Sequence, residues 1–403
     1  MITGRTDRER RARARAALSR LEPALAADAR RCLGRGAAAA FLARTQACFG
    51  DAHGPLEALY GAHLGSDVAL DAFVAELLRV SLRAAAARPL PLRELDRRRE
   101  AVPDWYQDQR MLGYVGYVDR FAGSLKALHG RLDHLAELGV TYLHLMPLLA
   151  PRDGANDGGY AVRDYRSVDP RLGTMDELTE LAAALRARGI SLCVDLVLNH
   201  TAREHAWARA WLAGDPEYAG FYTVYGDRTM PDAIEATVAD VFPHAAPGSF
   251  TLVPEAGGWV WTTFFDYQWD LDYTNPKVFT AMLDTILFLA NRGVEIVRMD
   301  AVPFMWKRPG TTCVNLPEVH ELVQALHALV KPAAPGTVFK AEAIVGPDEL
   351  VQYLGGHERY RPECELAYHN QLMVMLWSSL ASKDARLAVR SLRRMRPIPA
   401  PTS

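Results

Sequence analysis

Cysteine is sparse and unpatterned in this chain of 403 residues. The five cysteines, Cys32, Cys48, Cys193, Cys313 and Cys364, are odd in number and form no metal-ligand spacing. That argues against a disulfide framework or a zinc site and fits a reducing, cytoplasmic setting. No run of about 18 uncharged apolar residues occurs, so no membrane-spanning helix is expected. The net charge of -2 gives no general pull toward nucleic acid or an anionic membrane. The stretch from Met1 to Arg20 holds seven arginines but also Asp7 and Glu9, and it lacks the apolar core of a secretory signal. It reads as a solvated helix face in preference to a transit peptide or a nucleic-acid arm. No Gly-rich phosphate loop is present, so no nucleotide cofactor is expected.

What is present is ordinary for a globular protein, 49% apolar and 23% charged, in a chain long enough for two or three domains. Residues 1–100 are rich in Ala, Leu and Arg, with apolar residues at helical spacing, as in Leu70–Leu82. They read as an all-helical N-terminal domain. The Pro-rich piece Arg88–Leu92 reads as a connector.

From about Tyr114 short apolar strands alternate with amphipathic helices, which implies parallel βαβ units. Strands are expected near Gly113–Val118, Tyr142–Met146, Leu192–Leu198, Glu295–Asp300, Val338–Glu342 and Glu365–Tyr368. Helices are expected at Leu125–Leu138, Met175–Arg188, Lys277–Asn291 and Gln371–Met395, with a Pro-rich end at Pro397–Ser403. Polar residues at the strand ends favour a (β/α)₈ TIM barrel over residues 101–403, whose sites lie at that rim. A doubly wound sheet would show similar alternation, but an insert at 201–270 after the third strand favours the barrel. About six β/α units are present, so the barrel reads as incomplete.

Two strand ends carry the chemistry. Arg298 and Asp300 are two apart and share one face of a strand, and Glu342 ends the next strand-like segment. A retaining glycosidase needs one carboxylate to attack the sugar carbon and another to carry the proton. An adjacent arginine lowers the first carboxyl's pKa and keeps it ionised.

Several motifs in order resemble the amylosucrases, within the α-amylase-type glycoside hydrolases. Asp195-Leu-Val-Leu-Asn-His200, Val294–Ala301 and Ala341-Glu-Ala343 resemble the superfamily's motifs on strands three, four and five. Pro103-Asp-Trp105, Gly116–Gly123, Tyr142–Pro147, Asn156–Arg163, Trp259–Phe264 and Gln268–Leu271 resemble amylosucrases more narrowly. The resemblance implies Asp300 as nucleophile, Glu342 as general acid and base, and Arg298 as the partner that keeps Asp300 anionic. It implies that Tyr160 is a stacking platform, that Asp157 helps close the pocket floor, and that Phe264 and Gln268 line it from the insert. His200 would donate to a sugar hydroxyl, or alternatively be a satisfied structural histidine. Asn199 and Asp195 would brace the strand end, with Asp195 also open to a pocket role. Trp259 and Trp261 would pack the insert.

The implied reaction is glucosyl transfer from sucrose to a growing α-1,4-glucan with release of fructose, needing no cofactor and no metal. A sucrose hydrolase shares the motifs. The family's third carboxylate lies in a His-Asp pair on strand seven, and no such pair follows Glu342. The expectation is therefore a truncated chain that does not sustain turnover, or a non-catalytic fragment. Oligomeric state is not readable.

Overall fold

The structure is a computed structural model that describes residues 7–355 and 361–393. The start of the arginine tract, Met395 and the Pro-rich end at 397–403 lie outside the described residues. Four helices open the chain: α1 (Asp7–Leu33), α2 (Arg35–Leu64), α3 (Asp67–Ala87) and α4 (Leu90–Glu100). α3 shows why the segment is helical. Ser66 caps it by accepting the Ala69 N–H at 3.2 Å, and Leu70, Phe73, Val74, Leu77, Leu78 and Ser81 fall on one buried stripe.

The stretch Arg88–Leu92 is not a loose connector. Pro89 stands just before α4 and Pro91 sits in its first turn, where neither costs a helical hydrogen bond. Arg88 is buried, paired with Asp96, and donates to the Ala290 carbonyl at 3.2 Å. At the end of α4, Arg99 pairs with Glu295 and donates to Ser191 Oγ at 2.9 Å and the Gly336 carbonyl at 3.0 Å. Its guanidinium lies 3.5 Å from the Trp105 ring centroid. Gly336 is required there, because a Cβ would come within 2.9 Å of Asp96. The helices are thus bolted to the starts of the strands.

Six parallel strands follow: β1 (Gly113–Gly116), β2 (Tyr142–Leu145), β3 (Ser191–Val197), β4 (Ile296–Asp300), β5 (Val338–Ala341) and β6 (Leu366–Ala367). They pair in chain order, β1 to β6, into one open sheet, part of a TIM barrel. All seven residues of β3 are buried, as expected of a parallel strand covered on both faces. The covering helices include α5 (Met175–Ala187), α6 (Pro276–Asn291) and α7 (Pro317–Val330). α5 begins with a full capping box, Thr174 with Glu177.

Two expected helices are broken. Leu125–Leu138 is two short helices, Leu125–Leu128 and Leu132–Glu137, joined by a 3₁₀ turn that contains Gly130. The last becomes α8 (Asn370–Ser382) and α9 (Arg386–Arg393). Lys383 turns left-handed at φ 55°, and Asp384 accepts the Arg386 N–H at 3.0 Å, which restarts the chain. α8 leaves Trp377 69% and Leu380 73% exposed, an uncovered apolar face among the described residues.

In the insert, His200–Ala202 pairs antiparallel with Gln268–Asp270, so the segment returns to where it left. Between them Val224–Tyr225, Gly258–Trp261 and Phe250–Val253 form a small antiparallel sheet. Trp261 is buried there with Ile234, Phe250 and Cys313, and Trp259 lies under Arg228, so both tryptophans pack the insert. No helix among the described residues is long and apolar enough to cross a membrane. All five cysteines are free.

Candidate active site

Strand alternation and register assemble the site. Asp195 on β3 pairs in register with Arg298 on β4, and Val197 with Asp300. Arg298 pairs in turn with Lys340 on β5, two residues before Glu342. Side chains two apart share a face, so Arg298 and Asp300 point together. Arg298 Nη1 contacts Asp300 Oδ1 and lies 2.8 Å from Asp195 Oδ1, while Nη2 lies 3.9 Å from Glu342 Oε1. One guanidinium therefore gathers three carboxyls. His144 Nε2, from β2, lies 2.8 Å from Asp195 Oδ2 and extends the array sideways.

Glu342 is held from the strand beside it. The Ala301 N–H donates to Glu342 Oε2 at 2.9 Å. Ala301 adopts φ 51°, ψ 30°, a left-handed turn immediately after Asp300. Few residues without a Gly hydrogen adopt that conformation, and it accompanies the N–H bond to Glu342.

The electrostatics depart from expectation. Burial pushes the Asp300 carboxyl up to about 8, with Glu342 and Asp195 adding to the rise and Arg298 opposing it. Burial would lower Arg298, but Asp195, Asp300, Tyr160 and Glu342 together raise it further above its usual range. Arg298 is thus firmly cationic, and its downward pull on Asp300 is outweighed by burial together with the two neighbouring carboxyls.

The surrounding residues converge as well. Tyr160 is half-buried, its ring centroid 5.6 Å from the Arg298 guanidinium and its hydroxyl 3.5 Å from Nη1. It lies in a loop between Leu149–Pro151 and Val162–Val168, two antiparallel strands not anticipated from the sequence. Gly159, at φ 103°, lets that loop pass Pro147, where a Cβ would sit 2.9 Å away. Gln268 Nε2 donates to Asp157 Oδ2 at 3.2 Å while its Oε1 accepts the Phe265 N–H at 3.1 Å. Gln268 is wholly buried, so it braces Asp157 and does not line the pocket itself. Burial raises Asp157 and the Gln268 bond opposes the rise.

His200 is buried, and its ring lies 5.0 Å from Phe264. Burial pushes it down to about 4, so the ring is neutral. Asn199 Nδ2 lies 3.4 Å from its Nδ1, and a hydrogen bond to the Tyr160 backbone opposes the fall.

Sequence reasoning missed a buried ammonium. Lys307 Nζ donates to Asn199 Oδ1 at 2.8 Å and lies 2.7 Å from Asp270 Oδ2. Asn199 also donates to Asp270 at 3.1 Å. Asn199 therefore braces the strand end, as expected, but through a lysine over a hundred residues away. His144, Lys340 and Tyr368 were missed too. Their strand spacing was the available signal: His144 lies two after Tyr142, and Lys340 two before Glu342. Among the described residues no group of three or more His, Cys, Asp or Glu is placed to hold a metal ion.

A parallel part-barrel with paired carboxyls at its strand ends marks the chain as an enzyme of the glycoside hydrolase type. Residues 97–395 match the family described as alpha amylase, catalytic domain, and the chain belongs to that family. It is 34% identical over 278 residues to the trehalose synthase/amylase TreS of Mycobacterium tuberculosis (strain CDC 1551 / Oshkosh), covering 69% of this chain and 45% of the relative. It is 33% identical over 244 residues to the glucosylglycerate phosphorylase of Spirochaeta thermophila, covering 60% of this chain and 38% of the relative. The trehalulose synthase MutB from Pseudomonas mesoacidophila MX-45 shares the fold, with TM-score 0.56, 24% identity and coverage of 64% of this chain and 49% of that one. The chain spans about half the length of the relatives it matches.

Proposed function

We propose that the chain carries a retaining glucosyl-transfer site of the amylosucrase kind, with sucrose as donor and α-1,4-glucan as acceptor. The observation that supports this most is the single Arg298 guanidinium that gathers Asp300 and Glu342. In the first step Asp300 attacks the glucosyl C1, the bond from C1 to the fructosyl oxygen breaks, and Glu342 gives that oxygen its proton. In the second, Glu342 takes the proton of an acceptor hydroxyl, whose oxygen displaces Asp300 from C1 with net retention. Retention requires carboxyls about 5–5.5 Å apart, which suits side chains that share one arginine.

For the attack Asp300 is ionised beside Arg298, while Glu342 carries the proton that the leaving oxygen needs. Tyr160 supplies the face for the glucosyl ring, Asp157 closes the floor, and the neutral His200 donates to a sugar hydroxyl. Phe264 walls the pocket beside His200. The same reading divides the chain into a helical unit, 1–100, and a catalytic unit, 101–403, with 201–270 inserted. Five free thiols support a cytoplasmic location.

The names of the relatives point to trehalose and glucosylglycerate, so these sugars enter the test beside sucrose. Under single-turnover conditions fructose is released from sucrose, and Asp300→Asn abolishes the release. Turnover of trehalose, or of glucosylglycerate with phosphate, and none of sucrose would move the site to another donor. Sustained fructose release with free glucose and no glucan would make it a sucrose hydrolase.

A further inference from the structure

A cavity of about 400 Å³ lies among the N-terminal helices, between α2, α4 and the turn that follows α7. That is within the size range of small-ligand sites, ~300–1,000 Å³. None of its lining residues belongs to the strand-end site. Its floor is aliphatic but for one ring: Leu33 at the end of α1, Ala37, Ala40 and Phe41 of α2, Leu90 of α4, and Pro332. Leu90 stays 66% exposed there.

The wall above this floor is basic. Arg44, Arg88, Arg93 and Arg97 stand in it against a single acid, Asp96. Three of the four arginines are committed. Arg88 is paired with Asp96, and Arg44 holds Glu100 through two bonds, of 2.6 and 2.7 Å. Arg93 closes the end of α3, with Nε on the Arg88 carbonyl at 2.8 Å and Nη2 on the Ala86 carbonyl at 3.0 Å. Arg97 is exposed, and its guanidinium has no hydrogen-bond or ion-pair partner among the described residues. It stands one turn from Arg93 on α4, a spacing at which like charges repel. An anion between them would remove that repulsion.

We propose that this cavity binds a medium-chain alkyl carboxylate. The chain lies on the aliphatic floor, and the carboxylate takes two parallel N–H bonds from the Arg97 fork. The lining disfavours other ligands. A sugar would turn its hydroxyls toward alanine and leucine side chains, which offer no partner. Free phosphate would answer the arginines but leave the floor uncovered, and a neutral amphiphile would do the opposite. A cation meets four guanidinium groups. The proposal does not depend on the glucosyl donor, and its test needs no turnover.

Calorimetric titration of the whole chain with hexanoate, octanoate and decanoate tests it. Affinity should rise about fourfold for each added methylene, the worth of burying one. Arg97→Ala, at an exposed position, should weaken octanoate about tenfold to a hundredfold and leave octanol unchanged, because only the charge-assisted bonds are lost. Ala40→Trp, also at an exposed position, fills the floor and should abolish binding of both. Hydrogen exchange with octanoate bound should slow in 33–44 and 88–97. Octanoate binding that neither variant weakens would put the ligand elsewhere, as on the apolar face of α8, and overturn the proposal. Equal affinity for octanol and octanoate, affinity independent of chain length, or no binding at all would overturn it as well.

Discussion

Lys307→Met tests whether a buried ammonium holds the insert against the strand ends. The lysine head lies between Asp270 and Asn199, with its side chain only 9% exposed and Asp270 at 1%. Removing one member of a buried pair costs about 3–5 kcal/mol, because the other charge stays buried. Asp270 would keep three donors: the Thr263 N–H at 3.0 Å, the Thr263 hydroxyl at 2.5 Å and the Asn199 amide at 3.1 Å. The loss therefore belongs at the low end, about 3 kcal/mol. With a urea slope of about 3 kcal/mol per molar, the unfolding midpoint falls by about 1 M. Asp270→Asn in the same chain should recover much of the loss, because the stranded charge goes with its partner. A single variant within about 0.5 kcal/mol of the parent, or a double variant whose losses simply add, would refute the reasoning.

Three further outcomes follow from the geometry. Arg99→Ala strands Glu295, which keeps only Arg186 at 3.6 Å, and should cost about 2–4 kcal/mol in denaturant unfolding and speed hydrogen exchange in α4. Ala301→Val places a branched side chain at φ 51° and should cost about 1–3 kcal/mol in the same assay, whereas Ala301→Gly is tolerated. Because folding raises the Asp300 carboxyl to about 8, its contribution is favourable below its unfolded value of about 4 and is lost as pH rises toward 8. Asp300→Asn should therefore gain thermal stability relative to the parent as pH rises through that window, and a constant difference would contradict the assignment.

The strands were legible as short apolar runs, as in Ser191–Val197 and Ile296–Asp300, because burial on both faces demands apolar residues there. The site residues were legible because spacing of two along a strand puts Arg298 and Asp300 on one face. Partnerships across the chain were not. Nothing in the Pro-rich piece before α4 hints that Arg88 lies buried against α6, and nothing near Lys307 announces Asp270. The helix breaks at Gly130 and Lys383 depend on local turns that the apolar periodicity runs straight through. The upward push on the Asp300 carboxyl was not legible, because burial and the two neighbouring carboxyls that oppose Arg298 come from the fold.

The most direct test of the central claim is capture of the covalent intermediate. α-Glucosyl fluoride carries a leaving group that needs no acid, so Glu342→Gln should accept a glucosyl unit and release it slowly. Intact mass should rise by one glucosyl unit, and peptide mapping should place the ester on Asp300. No adduct, or an adduct on any other residue, would contradict the account.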